Sequence, residues 1–236
     1  MFGDLVDSCA GALRRLLPPA CVLCGARAGA DGLCGGCKSA LPRLPTPVCP
    51  VCAVPNPAGQ TCGRCLSRAP HFDRVAAALE YTHPADALIQ KLKYAGRLAC
   101  ARPLAAVLAE ALEREPYPDL VLPMPLARER LAERGFNQSL EIARLACREF
   151  GLQVRPELAR RVRAGAPQAT LPWKERARNV RGAFACDADL AGLRIAVVDD
   201  VLTTGATLDE LARVLKRSGA RQVVGWMVAR TVPSAP

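Results

Sequence analysis

Apolar residues along this chain follow two alternating patterns. Leu193–Val198 is a short, almost continuous apolar run, the mark of a strand buried on both faces of a parallel sheet. Leu208–Ser218 behind it carries apolar residues at helical spacing, and residues 221–232 repeat the strand pattern. Upstream, Asp119–Met124 predicts a strand ending at Pro125. Asn137–Phe150 predicts a helix through Leu140, Ile142, Ala143, Leu145, Ala146 and Phe150. Residues 152–158 read as the next strand and Arg102–Glu115 as a further helix. Strands alternating with helices predict an α/β fold, a parallel sheet flanked by helices.

Three stretches depart from that pattern. Residues 2–17 place Phe2, Leu5, Val6, Cys9, Leu13, Leu16 and Leu17 at helical spacing, and Pro18-Pro19 stop the helix. We read its apolar side as packing on the protein itself rather than on a partner or membrane surface. Residues 18–70 have little apolar periodicity and hold eight of the twelve Cys and nine of the twenty Pro. Residues 164–181 are charged, contain Gly165, Pro167 and Pro172, and have little periodicity; an irregular segment of this length is usually functional. The divisions expected are an N-terminal helix at 1–18, a small cysteine-rich domain at 19–70 and an α/β domain at 75–236.

Composition narrows the class. Half of the 236 residues are apolar, enough for a real core, and no run reaches the ~18 apolar residues of a transmembrane helix. Asp4, Asp7 and Arg14-Arg15 interrupt the N-terminal apolar residues, unlike a secretory signal, so the expected location is the reducing cytoplasm. The net charge is 32 − 22 = +10, and residues 155–181 alone carry +6. A basic excess suits a phosphate backbone, but its concentration in one segment suits a small anionic ligand equally well.

In a reducing compartment, clustered cysteines point to metal. Four C-x-x-C pairs occur, Cys21/Cys24, Cys34/Cys37, Cys49/Cys52 and Cys62/Cys65, with nine residues between the first two pairs and nine between the last two. Two residues between thiolates let both sulfurs reach one ion from a tight turn, and two such turns complete a tetrahedral shell. Eight thiolates match two structural Zn²⁺ ions. The equal gaps favour sequential pairing, with cross-bracing as the alternative. The thiols close both shells, leaving His71 and His83 as ordinary histidines. Cys9, Cys100, Cys147 and Cys186 stand among apolar residues and read as core side chains.

The second chemical signal is LRIAVVDDVLTTGATL at 193–208. It reads as a strand, two carboxylates (Asp199, Asp200), a loop (Thr203, Thr204, Gly205, Ala206, Thr207) and a helix. Open α/β sheets bind ligands at the carboxyl ends of their strands. N–H groups at the helix start and the Thr hydroxyls would cradle a phosphate, with Gly205 allowing close approach. Carboxylates beside a phosphate cradle suit ribose hydroxyls or a hydrated Mg²⁺. The segment thus reads as a ribose-5-phosphate binder. After Asp119–Met124, a loop carries Arg128, Arg130 and Arg134, whose guanidiniums fit a multiply charged anion. Lys91, Lys93 and Arg97 around Tyr94 form a further candidate anion contact.

VVDDVLTTGAT at Val197–Thr207 resembles the phosphoribosyl-diphosphate (PRPP) motif of type I phosphoribosyltransferases. Together with RGFNQ at Arg134–Gln138, ERARNVRGAF before residue 185 and the cysteine pairs, it makes nearly the whole chain resemble the ComF family. One departure is Met124, where Val is expected between the two prolines. The resemblance implies a type I phosphoribosyltransferase-like sheet behind a double zinc ribbon. It places Asp199 and Asp200 on the ribose hydroxyls, Thr203–Thr207 around the 5′-phosphate and Mg²⁺ on the diphosphate. It also implies a lid over PRPP in the segment carrying Lys174, Arg176, Arg178 and Arg181. Finally, it implies DNA uptake in natural transformation, with single-stranded DNA as a partner and Tyr94, Phe136 and Trp173 available for stacking. An active phosphoribosyltransferase is the alternative, with no catalytic residue assigned. Thr203 stands where 6-oxopurine transferases carry an acid. The ribbons are also candidates to bind a DNA-uptake protein.

Overall fold

The computed structural model of the protein describes residues 19–163 and 180–232. The expected helix over 2–17, including Cys9, and the segment holding Lys174, Arg176, Arg178 and Trp173 lie outside them. The cysteine-rich region contributes two short helices, α1 (Gly35–Ser39) and α2 (Gly63–Ser67). There follow β1 (Arg74–Glu80), α3 (Ala85–Ala95), α4 (Ala101–Leu112), β2 (Leu120–Pro123), α5 (Arg128–Arg134) and α6 (Gln138–Arg148). Next come β3 (Arg160–Arg161), β4 (Phe184–Ala185), β5 (Arg194–Leu202), α7 (Ala206–Arg217) and β6 (Gln222–Arg230).

One sheet organises the chain. Its order is β1-β6-β5-β2 and every pair is parallel. β3 and β4 form a separate antiparallel pair. β5 and β6 are the central strands, and β6 is buried from Val223 to Arg230, as a parallel strand covered on both faces must be. Residues 152–158 do not form a full strand. Val154 makes a single parallel bridge to Val121, framed by Val121 N donating to Gln153 O (3.0 Å) and Arg155 N donating to Val121 O (2.8 Å). Pro156 then has no N–H to continue the ladder and opens a 3₁₀ turn. From β2 the chain runs outward through α5 and α6 to Val154, whereas β5 lies on the inner side of β2. The direction of winding therefore reverses between β2 and β5, where doubly wound sheets open their ligand crevice.

Each sheet face has its own core. Ala196 and Val198 of β5 join Leu88 and Ile89 of α3, Leu104 and Leu108 of α4, and Ile142 of α6. Ile195 and Val197 point the other way and join Leu208, Leu211 and Leu215 of α7, with Phe184 of β4. The ribbons divide between the same faces. Cys21, Leu33 and Leu41 belong to the first core, and Cys49, Cys52, Ala53 and Cys65 to the second. The chain between the ribbons runs antiparallel along β1. Leu44 N donates to Ala78 O (3.1 Å) and Glu80 N donates to Pro42 O (2.8 Å), which covers the β1 edge.

The centre of the sheet is packed without slack. A Cβ on Gly225 of β6 would stand 2.6 Å from Leu208 Cδ2, 2.9 Å from Met227 Cε and 3.2 Å from Val75 Cγ2. Gly225→Ala is therefore expected to destabilise the protein by about 1–3 kcal/mol through overpacking, read as a lowered midpoint of thermal unfolding. An unchanged midpoint would show that α7 can shift to admit the methyl.

Candidate ligand-binding cleft and metal centres

β5 continues through the aspartate pair. Asp199 and Asp200 lie within the strand rather than after it, because pairing with β6 runs on to Leu202 opposite Arg230. Asp199 Oδ1 accepts from Ser139 Oγ (2.9 Å) and from Asp200 N (3.0 Å). Ser139 is fully buried in the first turn of α6. Asp200 is buried, its Oδ1 2.8 Å from Lys93 Nζ of α3, and its Oδ2 has no hydrogen-bond partner among the described residues.

The two carboxylates share one pocket of charge. Burial, and then the neighbouring Asp200 charge, push Asp199 up to about 7 despite Lys93 and the Ser139 hydroxyl. Burial alone would lower the Lys93 ammonium, but the charges of Asp200 and Asp199 outweigh it and hold Lys93 above its ordinary value. Arg161 of β3 acts on the same group. Burial depresses its guanidinium, the Asp199 charge opposes that, and the Arg130 charge adds to it. Arg161 is fixed by packing over the Phe184 ring (5.6 Å to the centroid) and by donating from Nε to Arg163 O (3.2 Å). The charges of Lys93 and Arg161 thus act on the carboxylate pair from two different elements, and Arg130 stands close enough to Arg161 to act on that guanidinium.

The segment after β2 is a helix, not the loop expected around Arg128, Arg130 and Arg134. Its R-E-R-L-A-E-R composition consists of helix formers, with an Arg130–Glu133 pair at i,i+3 (3.3 Å), and Gly135 closes it at φ +80°. Arg128 is exposed on its first turn. Arg134 lies 5.9 Å from the Tyr94 ring centroid and donates to Gln138 Oε1. Asn137 then caps α6, accepting from Ser139 N (3.0 Å) and Leu140 N (3.4 Å), while its Nδ2 donates to Met124 O (3.0 Å). RGFNQ thereby fixes the entry of α6 to the end of β2, which delivers Ser139 to Asp199.

The candidate phosphate loop follows. Gly205 adopts φ +80° and caps α7, whose first turn contains Ala206 and Thr207. Thr204 Oγ1 accepts from Ala206 N (3.2 Å). The first-turn N–H groups of a helix have no partner within it, so they face any anion in this loop. Behind the loop, a Cβ on Gly205 would meet the Phe72 ring at 3.6 Å and Arg64 Nη2 at 3.9 Å. Arg230, buried at the end of β6, donates from Nη1 to Leu202 O (3.0 Å) and Thr203 O (2.7 Å). Arg181 does not join the cations around the aspartates. It is exposed, and its charge acts on Glu210, one turn into α7.

Sequence reasoning singled out the aspartates, the Thr loop and Arg130. It missed Ser139, Arg161 as an individual site residue, and Arg230. It treated Lys93 only as one of several basic residues around Tyr94. These four come from remote segments, and their shared address appears only when the sheet is assembled. His71 is no metal ligand. Its Nδ1 lies 2.9 Å from Asp209 Oδ1, and its backbone N donates to the same oxygen (2.6 Å). Cys100 and Cys147 are buried, with burial pushing Cys147 up to about 12, and Cys186 is half-buried.

The eight remaining thiols form two clusters, Cys21/Cys24/Cys34/Cys37 and Cys49/Cys52/Cys62/Cys65, each with all sulfurs within 4.8 Å of one another. The pairing is sequential. Cys24 and Cys34 sulfurs are 3.6 Å apart and Cys52 and Cys62 sulfurs 3.7 Å. A tetrahedral zinc with ~2.3 Å bonds needs about 3.8 Å, so both clusters fit the ion. Backbone donors reinforce them, Cys37 N to Cys34 Sγ (3.4 Å) and Cys62 N to Cys49 Sγ (3.3 Å). Burial would raise the Cys21 thiol, but N–H groups of Cys24, Cys34 and Leu23 bring it to about 6. The Cys24 and Cys34 sulfurs push Cys37 up to about 12. Such a set ionises fully only around a cation.

The raised Asp199 has a consequence for stability. An unfolded Asp titrates near 3.8. Between there and about 7 the folded chain keeps a proton that the unfolded chain has released, so stability falls as pH rises through this window. The unfolding midpoint is expected to drop between about pH 4 and 7, and Asp199→Asn should flatten that slope. An equal slope in the variant would assign the effect elsewhere.

Comparison with known proteins agrees with these observations. A family model for the double zinc ribbon domain matches residues 12–66. A DNA utilization protein YhgH from Salmonella typhi is 34% identical over 169 residues, 69% of this chain and 74% of that protein. Competence protein F of Haemophilus influenzae is 29% identical over 170 residues, 68% of this chain and 74% of that one. An adenine phosphoribosyltransferase of Mycobacterium tuberculosis is 34% identical over 119 residues, 50% of this chain and 51% of that enzyme. Among the described residues no helix is long and apolar enough to cross a membrane. With two cysteine clusters set against a parallel sheet, the chain belongs to the ComF family of competence and DNA-utilization proteins.

Proposed function

We propose that this protein is a DNA-uptake factor of natural transformation that handles single-stranded DNA and binds PRPP, or a related ribose 5-phosphate, at the carboxyl end of β5. The observation that carries the ligand is the Asp199–Asp200 pair, half-buried and buried, beside the Gly205 cap of α7. Two carboxylates accept hydrogen bonds from the hydroxyls of a 1,2-diol, and the N–H groups at the helix start donate to phosphate. In this reading Asp199 and Asp200 face the ribose hydroxyls and Thr203, Thr204, Gly205, Ala206 and Thr207 surround the 5′-phosphate. Arg130 and Arg161 meet the diphosphate, with Arg128 and Arg134 at its margin. Lys93 pairs with Asp200 Oδ1, so a ribose hydroxyl on that oxygen competes with the ion pair. Mg²⁺ accompanies the diphosphate and supplies charge neutralisation there. The protein acts in the cytoplasm.

DNA binding rests on the names of the relatives and on the basic segment 155–181. Arg181 at its end is exposed. Lys174, Arg176 and Arg178 would extend the contact to phosphates, and exposed Tyr94 offers a ring to a base. The ribbons are available to a DNA-uptake protein partner. A second reading, an active phosphoribosyltransferase, is favoured by the 34% identity to an adenine phosphoribosyltransferase over half of this chain. Here the protein would position PRPP and stabilise charge while diphosphate leaves C1. Diphosphate release from PRPP in the presence of bases or amines distinguishes the two.

Two measurements follow. Titration calorimetry is expected to give Mg²⁺-dependent PRPP binding that is lost in Asp199→Asn/Asp200→Asn; equal heats from both proteins would remove the ligand reading. Affinity for single-stranded DNA is expected to fall linearly on a log–log plot against salt, with a slope near −0.7 per phosphate contact. Changing Arg176, Arg178 and Arg181 to Ala should lower both affinity and slope. Retained affinity would exclude the basic segment as the DNA site.

A further inference from the structure

The second cysteine cluster touches the phosphate loop through one side chain. Arg230 is 2% exposed, and its guanidinium reaches both. Nε donates to the carbonyl of Cys52 (3.0 Å), inside the second cluster. Nη1 faces the carbonyls of Leu202 (3.0 Å), Thr203 (2.7 Å) and Thr231 (2.6 Å), the first two leading directly into Gly205. These partners are neutral carbonyls, yet a buried guanidinium needs a counter-charge. The Nε bond to the Cys52 carbonyl sets the guanidinium beside the thiols of the second cluster. A zinc ion held by four thiolates carries a net charge of about two minus, fixed in place. It supplies what the buried Arg230 lacks.

Three more residues tie the end of this ribbon to the loop and the start of α7. The Phe72 ring and Arg64 stand against Gly205, and His71 binds Asp209 in the first turn of α7. The first cluster has a different neighbourhood. It packs on the opposite core, and its ribbon is bonded to α3 and α4 by Lys91 Nζ to Val22 O (3.4 Å), Arg102 Nη1 to Ala30 O (3.1 Å) and the Lys38–Glu110 pair (2.9 Å).

We infer that Arg230 is a positioning residue through which the second zinc centre, and not the first, sets the shape of the phosphate loop. Zinc in the Cys49/Cys52/Cys62/Cys65 cluster anchors the guanidinium, which holds the Leu202 and Thr203 carbonyls and so aims the N–H groups of the loop. Loss of that zinc slackens the loop and weakens anion capture. The anion part of this statement rests on the ribose-phosphate reading; the loop part does not.

The test uses the full-length, zinc-loaded protein and three variants: Cys49→Ser/Cys62→Ser, Cys21→Ser/Cys24→Ser, and Arg230→Lys. Arg230→Lys keeps the charge but not the fork, and covers the case in which the second-cluster variant fails to fold. Zinc content, amide exchange of the peptide spanning 202–208 and calorimetric affinity for ribose 5-phosphate are read on each. Arg230→Lys should keep both zinc ions, yet speed exchange in 202–208 and weaken ribose 5-phosphate binding, each by about tenfold, as expected for losing hydrogen bonds to a buried charged group. The second-cluster variant should do the same with one zinc ion fewer, and the first-cluster variant should lose one zinc ion with neither change. Unchanged exchange in 202–208 for Arg230→Lys, or faster exchange there only in the first-cluster variant, would overturn the inference. If the wild-type protein binds no ribose 5-phosphate, the ligand reading fails, while the exchange result still decides whether the second centre shapes the loop.

Discussion

A parallel sheet cannot be left bare on either face, and its outer strand cannot be left unpaired. In this protein the constraint at the β1 edge is met by the cysteine-rich region. The chain at Pro42–Leu44 pairs with β1, and the ribbons on either side of that crossing each close one core. Metal and hydrophobic burial are therefore not independent here. Cys21 and Cys49 are ligand candidates and core residues together. The same arrangement brings the second ribbon to the carboxyl ends of β5 and β6, where the cleft is.

The cleft concentrates charge where the solvent cannot dilute it. Two adjacent carboxylates sit at the winding reversal, and neither is left alone. Asp200 has Lys93, Asp199 has Ser139, and the Arg161 charge acts on Asp199 from β3. A buried ion pair of this kind is costly to assemble and contributes little net stability by itself. Under the proposed function, this pair serves ligand exchange, in which a ribose diol and phosphates replace internal partners.

Much of this was legible from the residues. The alternation of continuous and helical apolar runs identified β5, α7, β6, β2 and α6, because a doubly covered parallel strand and an amphipathic helix leave distinct periods. The four C-x-x-C pairs and their equal spacing favoured two sequential metal sites, since ligand geometry is local. What failed was equally physical. Residues 152–158 looked like a strand until Pro156 withheld its N–H. Arg128–Arg134 looked like a loop because a Pro and a Gly bracket it, although every residue between them is compatible with a helix. The partners of the aspartates were invisible. Ser139, Lys93 and Arg161 lie tens of residues away, and tertiary packing alone brings them together. Arg230 read simply as one residue of an apolar strand over 221–232, with nothing in its neighbours to signal a buried cation.

The central claim is that the carboxyl end of β5 is a ribose-phosphate site whose carboxylates are held ready by internal cations. The most direct measurement is a crystal structure of the full chain grown with PRPP and Mg²⁺. The account requires the 5′-phosphate against Thr203–Thr207, the ribose hydroxyls on Asp199 and Asp200, and Lys93 displaced from Asp200. A saturated crystal with the ligand bound elsewhere, or with the Lys93–Asp200 pair intact and the loop empty, would contradict it.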